Sequence, residues 1–240
     1  IISNCTAAAV KDASVTLIKG GLVAFPTETV YGLGADATNK DAIARIYKVK
    51  GRPEGHPLIV HISSLANLDK WARDIPEYAV ILARAFWPGP MTLILPRTDL
   101  AKDFITGSQD NVGIRIPSHT VGLALLKEFE DQGGLGIAAP SANRFGAVSP
   151  TTATAVEIEL ADFLSENQNY SGTFHDTMMG NDSKFRSFLK TDYNLQDAIG
   201  IMALYHTSSI MFRNNLQYPN WVLKQASGDM CLQLLICEKG

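Results

Sequence analysis

The segment Gly21-Leu-Val-Ala-Phe-Pro-Thr-Glu-Thr-Val-Tyr-Gly-Leu-Gly34 joins a strand-like run to a polar loop. Its apolar part, 22–26, has the length of a buried strand and ends at a proline, and the hydroxyls and glycines that follow favour a loop. Hydroxyl and backbone N–H groups suit the binding of a small polar molecule, whereas a tight turn capped by threonine is the alternative. The segment therefore predicts a strand that opens into a candidate binding loop.

Helices and short apolar strands alternate on both sides of this segment. The residue pattern predicts helices over 6–19, 39–48, 76–86 and 120–132, and strands over 58–62, 91–95, 112–116 and 135–139. This alternation is typical of an α/β architecture with a largely covered sheet, in which ligands bind in loops at strand ends.

The character of the chain changes near residue 161, where asparagine becomes more frequent and strand-like runs become harder to find. The segments 198–205, 221–223 and 231–237 are candidate core elements. We therefore predict a core domain over residues 1–160, with residues 161–240 forming a divergent continuation of it or a C-terminal appendage.

Composition excludes several classes of protein. The 240 residues are 46% hydrophobic, the net charge is −3, and the sequence pI is about 6.0, which argues against nucleic-acid binding through a broadly basic surface. Three sparse cysteines support neither a disulfide framework nor a zinc site, and no apolar run is long enough for a membrane helix. We expect a cytoplasmic protein without membrane association; because the chain begins with Ile, we expect it to be trimmed, which leaves a mitochondrial location open.

Cations cluster in Lys48-Val-Lys-Gly-Arg-Pro-Glu-Gly-His-Pro57, one turn after Arg45. Glycine and proline prevent this stretch from continuing as a helix, so the charges lie on or just before an irregular loop. Lys and Arg in such a loop suit a ligand with several anionic oxygens. A charged helix end followed by a turn is the alternative, because the helix dipole favours cations in the last turn.

Other polar residues interrupt apolar segments. Ser141 and Asn143 follow a predicted strand and could contact a nucleotide or brace a turn. Arg115 lies in a strand of otherwise apolar residues, so it faces either solvent or an anion in a cleft. His61 also interrupts a strand and is either a core histidine or a ligand contact, and the histidine spacing predicts no protein-built metal site.

Several motifs together resemble the YrdC-like family of threonylcarbamoyl-AMP synthases. They occur in the order typical of the family over about residues 6–156: Gly21–Gly34, Ile46-Tyr-Lys-Val-Lys-Gly-Arg52 with Pro57-Leu-Ile-Val60, Trp87-Pro-Gly-Pro-Met-Thr92, Val112-Gly-Ile-Arg-Ile-Pro117, and Ala139-Pro-Ser-Ala-Asn143 with Ser149-Pro150. The resemblance implies an α/β fold with a YrdC-like twisted mixed β-sheet, helices packed on it and an open cationic cleft.

The resemblance also implies a reaction. L-Threonine, bicarbonate or CO2, and ATP would give threonylcarbamoyl-AMP and pyrophosphate, the first step of threonylcarbamoylation of tRNA adenosine. Mg2+ would accompany the ATP phosphates, a downstream threonylcarbamoyl transferase machinery would use the product, and contact with tRNA or another RNA would be possible.

The implied site residues fall into three groups: catalytic, nucleotide-binding and threonine-binding. Lys50 and Arg52 would be catalytic by stabilising charge on the phosphates, and Arg115 would pair with the threonine carboxylate. The nucleotide would be bound by Lys50, Arg52, Ser141, Asn143 and Ser149, and L-threonine by Thr27, Thr29, Tyr31, His61 and Arg115.

The chain departs from the family pattern after Pro150. We find neither the E-S-T-I-V-D-like strand nor the R-x-G segment that usually follow, and the segments 170–173 and 210–213 match them poorly. The alternatives to a synthase are a non-catalytic nucleotide- or RNA-binding module and a carbamoyl-adenylate-forming domain like that in hydrogenase maturation proteins.

Overall fold

A computed structural model describes residues 2–4, 6–165, 170–175, 201–205 and 232–236. The helices are α1 Ala7–Ile18, α2 Lys40–Lys50, α3 Leu68–Trp71, α4 Glu77–Phe86, α5 Asp103–Thr106, α6 Thr120–Asp131 and α7 Ala153–Ser165, with a 3-10 turn at Leu65–Asn67. The strands are β1 Ile2–Asn4, β2 Leu22–Pro26, β3 Tyr31–Asp36, β4 Ile59–His61, β5 Thr92–Pro96, β6 Asn111–Arg115, β7 Ile137–Ala138, β8 Tyr170–His175, β9 Ile201–Tyr205 and β10 Leu232–Ile236.

These strands form one mixed sheet of 10 strands in the order β1-β8-β2-β3-β7-β4-β6-β5-β10-β9. Antiparallel pairs occupy its centre, where β3 lies between β2 and β7, while β4 and β6 run parallel. The predicted α/β class is therefore confirmed, and the open cationic cleft remains a prediction.

Both faces of the central strands are buried, as the sequence pattern of β2 indicates. Val23 and Phe25 pack with apolar residues of α1 and α6, whereas Leu22 and Ala24 point into the larger core on the opposite face. Successive side chains of a strand point to opposite faces, so a run that is apolar at every position indicates a sheet covered on both sides.

The loop predicted after Pro26 is shorter than expected, because β3 begins at Tyr31. Glycines made this segment resemble a loop, but Gly34 is required by packing within the strand. A Cβ atom at Gly34 would lie 2.8 Å from both Ile137 Cγ2 and Phe25 Cε1. The segment is thus a hairpin whose turn, residues 27–30, carries the polar side chains.

The predicted helices and strands up to residue 139 are all present, with ends that differ by a few residues. Sequence reasoning missed α3, α5, α7, β1 and β8, while β9 and β10 lie within the candidate core segments 198–205 and 231–237. The segments 221–223 and 210–213 lie outside the described residues, and the division at residue 160 stays a prediction. Within the described ranges, no helix is both long and apolar enough to cross a bilayer.

Candidate functional site

The last residue of α2, Lys50, joins two loops that are far apart in sequence. Asn39 caps the start of the helix through its side chain, and Gly51 ends it in the left-handed conformation with φ of 59°. Lys50 is only 2% exposed, and its Nζ donates to the backbone oxygens of Ser141, at 2.5 Å, and of Asn143. The end of α2 therefore places a buried amine against the Ser141–Asn143 loop. The family resemblance implies that this loop and Lys50 belong to one nucleotide site.

The environment of Lys50 disfavours its charge. Burial, and secondly repulsion from Arg52, lower the pKa of the Lys50 amine from 10.5 to about 7, although Glu159 of α7 acts in the opposite direction. An amine with this pKa can change its protonation state near neutral pH when an anion arrives.

Arg52 is half-buried on the loop after α2 and is held by contacts with both loops. Its Nη2 donates to the Pro57 oxygen at 3.2 Å, and its guanidinium carbon lies 5.9 Å from the ring centroid of Phe145. The same ring contacts His56 edge-on at 5.4 Å, and the Phe145 N–H donates to the Lys50 oxygen at 2.7 Å. The buried Nε of Arg52 has no hydrogen-bond partner among the described residues, so its N–H is available to donate to an anion.

Asn143 stabilises its own loop, which was one of the two predicted alternatives. Its amide nitrogen donates to the backbone oxygens of Arg144, at 2.7 Å, and of Ala147, at 2.9 Å. Its Oδ1 is buried and has no partner within the part of the chain that the structure describes. Because a buried acceptor is normally hydrogen-bonded, this atom is a candidate contact for a ligand donor.

The start of β3 connects this loop to the hairpin. Tyr31 donates its backbone N–H to the Pro150 oxygen at 2.9 Å and accepts from the Ala142 N–H at 2.7 Å. Half-buried Ser141 and Ser149 lie on the same loop, next to these two backbone contacts. The predicted nucleotide-binding loop and the predicted threonine-binding loop are therefore neighbours.

The hairpin turn is held together by its own hydroxyls. Thr27 is 3% exposed, and its Oγ1 donates to the Val30 oxygen at 2.7 Å and lies 3.0 Å from the Thr29 Oγ1. The predicted alternative, a turn capped by threonine, is thus what Thr27 forms. The side chains of Tyr31 and His61 are also buried, at 0% and 3% exposed, and His61 packs edge-on against Phe25 at 6.1 Å.

Arg115 lies at the end of β6 and is buried, at 3% exposed. Its Nη2 is 2.6 Å from Glu28 Oε1, and its Nε donates to the Gly89 oxygen at 3.3 Å. The sequence predicted that Arg115 faces either solvent or an anion. The structure shows an anion, and it is the carboxylate of Glu28. Sequence reasoning missed Glu28, although a buried arginine requires a partner and Glu28 lies in the candidate loop.

Two other residues at the site were also missed. Glu159 accepts from the Arg144 N–H at 3.2 Å, and Phe145 packs on Arg52. The described residues contain no group of three or more His, Cys, Asp or Glu side chains that could hold a metal ion. Mg2+ therefore stays a prediction, as do the assigned roles of the site residues.

Comparison with known proteins finds a matching family model and several similar proteins. Residues 16–175 match the Sua5_yciO_yrdC family model, whose description is "Telomere recombination". The threonylcarbamoyl-AMP synthase of Pyrococcus abyssi is 51% identical over 135 residues, which are 56% of this chain and 38% of that protein. The threonylcarbamoyl-AMP synthase of Bacillus subtilis is 47% identical over 152 residues, 63% of this chain and 43% of that protein.

A solved structure shares both the fold and part of the sequence. The crystal structure of P. abyssi Sua5 complexed with L-threonine has a TM-score of 0.66 and 40% sequence identity, covering 74% of this chain and 49% of that chain. The chain thus spans less than half the length of these relatives.

Proposed function

The chain belongs to the Sua5_yciO_yrdC family, and we propose that it catalyses the ATP-dependent synthesis of L-threonylcarbamoyl-AMP. The observation that carries this proposal is the junction of the Lys50 amine with the Ser141–Asn143 loop, beside the guanidinium of Arg52. The relatives named for this activity and the Sua5 complex with L-threonine support the same assignment.

The reaction requires a site that handles anions away from water. The threonine amine adds to CO2, supplied as such or from bicarbonate, and loses a proton to give a carbamate. A carbamate oxygen then attacks the ATP α-phosphorus, the bond to the β-phosphate oxygen breaks, and pyrophosphate leaves. Negative charge grows on the phosphate oxygens during this exchange, so fixed cations accelerate it.

Lys50 and Arg52 supply those cations in our proposal. The buried amine of Lys50 is held by two backbone oxygens, and arrival of the triphosphate would favour its protonated form. Arg52 would use its planar fork on the phosphates, together with Mg2+ carried by ATP. Ser141, Asn143 and Ser149 would orient the nucleotide, with the Asn143 Oδ1 available to accept a hydrogen bond.

The amino acid would bind beside the hairpin turn. The hydroxyls of Thr27 and Thr29 would form this side of the pocket, and the buried side chains of Tyr31 and His61 would support it from the core. Arg115, which also pairs with Glu28 at 2.6 Å, would pair with the threonine carboxylate.

The product would pass to other proteins in our proposal. Its carbamoyl–phosphate linkage is a mixed anhydride. An adenosine amine of tRNA can attack the carbonyl carbon of this linkage, the bond to the phosphate oxygen breaks, and AMP leaves. A threonylcarbamoyl transferase machinery in the cytoplasm would perform that transfer.

Pyrophosphate release tests the proposal. We expect release only when ATP, L-threonine and bicarbonate are all present, and a severe loss in Lys50→Ala and in Arg52→Ala with folding retained. Arg73→Ala is the matched control, because this exposed cation pairs with Asp74 and lines a separate groove.

Other outcomes would contradict the assignment. Release that is indifferent to threonine but requires carbamoyl phosphate would favour a carbamoyl-adenylate-forming domain. Salt-sensitive RNA binding without any pyrophosphate release would favour a non-catalytic RNA-binding module.

A further inference from the structure

Tyr47 contacts both ends of loop 51–57, which carries Arg52. This residue lies in α2, one turn before Lys50, and is 5% exposed. Its backbone oxygen accepts from the Arg52 N–H at 3.0 Å, and its hydroxyl donates to the His56 oxygen at 2.7 Å. Burial raises the pKa of the Tyr47 phenol above its ordinary value, so the hydroxyl keeps its proton at neutral pH and remains a donor.

The same hydroxyl connects the loop to α5. Its oxygen lies 3.3 Å from the backbone oxygen of Phe104, and the Leu58 N–H donates to the Ile105 oxygen at 2.8 Å. Helix α5 ends at Gly107, whose φ is 60°, and a Cβ atom there would clash with the Gly55 oxygen. The backbone of α5 therefore packs directly on the backbone of loop 51–57, with no side chain between them.

Helix α5 is fixed in turn by a residue that follows β5. The Nη2 of Arg97 lies 2.7 Å from Asp103 Oδ1, and its Nη1 donates to the Ala101 oxygen at 2.8 Å. A helix of 4 residues is too short to be stable without such contacts. The sheet thus supports α5, and α5 supports the loop.

The placement of Arg52 depends on these contacts. Residues 53–55 are exposed, and the Arg52 Nη2 bonds within the loop itself, to the Pro57 oxygen at 3.2 Å. The position of the guanidinium relative to the Ser141–Asn143 loop therefore follows the position in which loop 51–57 is held as a whole.

We propose that Tyr47 is a positioning residue for Arg52. Its hydroxyl, together with α5, holds loop 51–57 where the Arg52 guanidinium faces the phosphates of ATP. This inference rests on the proposed function for the identity of the ligand. Tyr47 acts through Arg52 and does not itself bind the nucleotide.

A double-mutant cycle tests whether Tyr47 acts through Arg52. The variants are Tyr47→Phe, which removes only the hydroxyl, Arg52→Ala and the double variant. The probe is ATP with Mg2+, and calorimetry on the full chain measures its affinity. We expect Tyr47→Phe to weaken ATP binding about three- to tenfold, the effect of one net hydrogen bond, and to add less than about twofold when Arg52 is already alanine.

The steady-state kinetics of pyrophosphate release separate positioning from a loss of folded protein. Tyr47→Phe should raise the KM for ATP and leave the KM for L-threonine within about twofold of the wild type. A smaller folded fraction would instead lower the apparent kcat and leave both KM values unchanged. Tyr78→Phe is the matched control, because this tyrosine is 37% exposed on α4, and it should behave as the wild type.

Three outcomes would overturn the proposal. The first is wild-type ATP affinity in Tyr47→Phe, and the second is an equal loss of affinity with and without the Arg52 side chain. The third is a Tyr47→Phe chain that does not fold, because the hydroxyl would then serve the fold as a whole.

Nuclear magnetic relaxation of the Arg52 Nε–H tests the support of the loop without reference to activity. We expect a lower order parameter for this group in Tyr47→Phe than in the wild type and in Tyr78→Phe. Equal order parameters in all three proteins would contradict the proposal. A wild-type chain that releases no pyrophosphate would refute the proposed function, while the relaxation of Arg52 would still decide whether Tyr47 holds the loop.

Discussion

Replacing Lys50 with methionine should change how the stability of the protein depends on pH. The Lys50 amine is 2% exposed, and burial together with repulsion from Arg52 lowers its pKa from 10.5 to about 7. Methionine fills a similar volume without a titrating group. The comparison of wild type with Lys50→Met therefore isolates the proton equilibrium of this one amine.

The sign follows from proton binding in the two states. Between pH 7 and 10.5 the unfolded chain keeps the Lys50 proton and the folded chain releases it, so the free energy of unfolding rises with pH. The stabilisation is complete above the unfolded pKa and is lost as pH falls through the folded pKa. Because the folded amine is half protonated near pH 7, the rise from pH 7 to pH 9 is about 2 kcal/mol.

Urea unfolding at pH 7, 8 and 9 and constant ionic strength measures this change. Subtracting the free energy of unfolding of Lys50→Met removes the groups that titrate identically in both proteins. We expect the wild type to gain about 2 kcal/mol relative to the variant across this range. Parallel curves, or a wild type that loses stability relative to Lys50→Met as pH rises, would refute the assignment of a lowered pKa.

Three further predictions concern the site and the hairpin. ATP binding at pH 8 should take up close to one proton in the wild type and none in Lys50→Met, because the Lys50 amine, with a pKa of about 7, is mostly neutral before the phosphates arrive. Calorimetry in buffers of different ionisation enthalpy measures this uptake, and equal uptake in both proteins would contradict contact between Lys50 and the phosphates. Phe145→Leu should raise the KM for ATP about two- to fivefold, since a cation–π contact with Arg52 contributes about 0.5–1 kcal/mol, and an unchanged KM would exclude that role. Gly34→Ala should lower the free energy of unfolding by about 1–3 kcal/mol through overpacking against Ile137 and Phe25, whereas wild-type stability in urea would show that the strands can separate.

Much of the fold could be predicted because helices and strands leave local patterns. The side chain of Asn39 caps α2, and the left-handed Gly51 ends it, close to the predicted bounds. Prediction was weaker where a residue is fixed by packing against residues distant in sequence. Gly34 resembles a loop glycine, yet it lies in β3. It is a glycine because Phe25 and Ile137 leave no room for a side chain. The short helices α3 and α5, of 4 residues each, are too brief to show helical periodicity.

In the candidate site, too, the local sequence predicts the residue types but not their tertiary contacts. The local sequence predicts which polar residues lie beside the apolar segments: hydroxyls after β2, cations at the end of α2 and just beyond it, and a serine and an asparagine after β7. Their partners follow from the folded arrangement, because Lys50 contacts Ser141 across 91 residues of sequence and Arg115 contacts Glu28 across 87. Helix capping and burial leave patterns in the local sequence. The pairing of buried charges depends instead on which loops and strand ends the folded sheet brings together. The sheet places Glu28 of the hairpin turn, rather than solvent, against Arg115 at the end of β6.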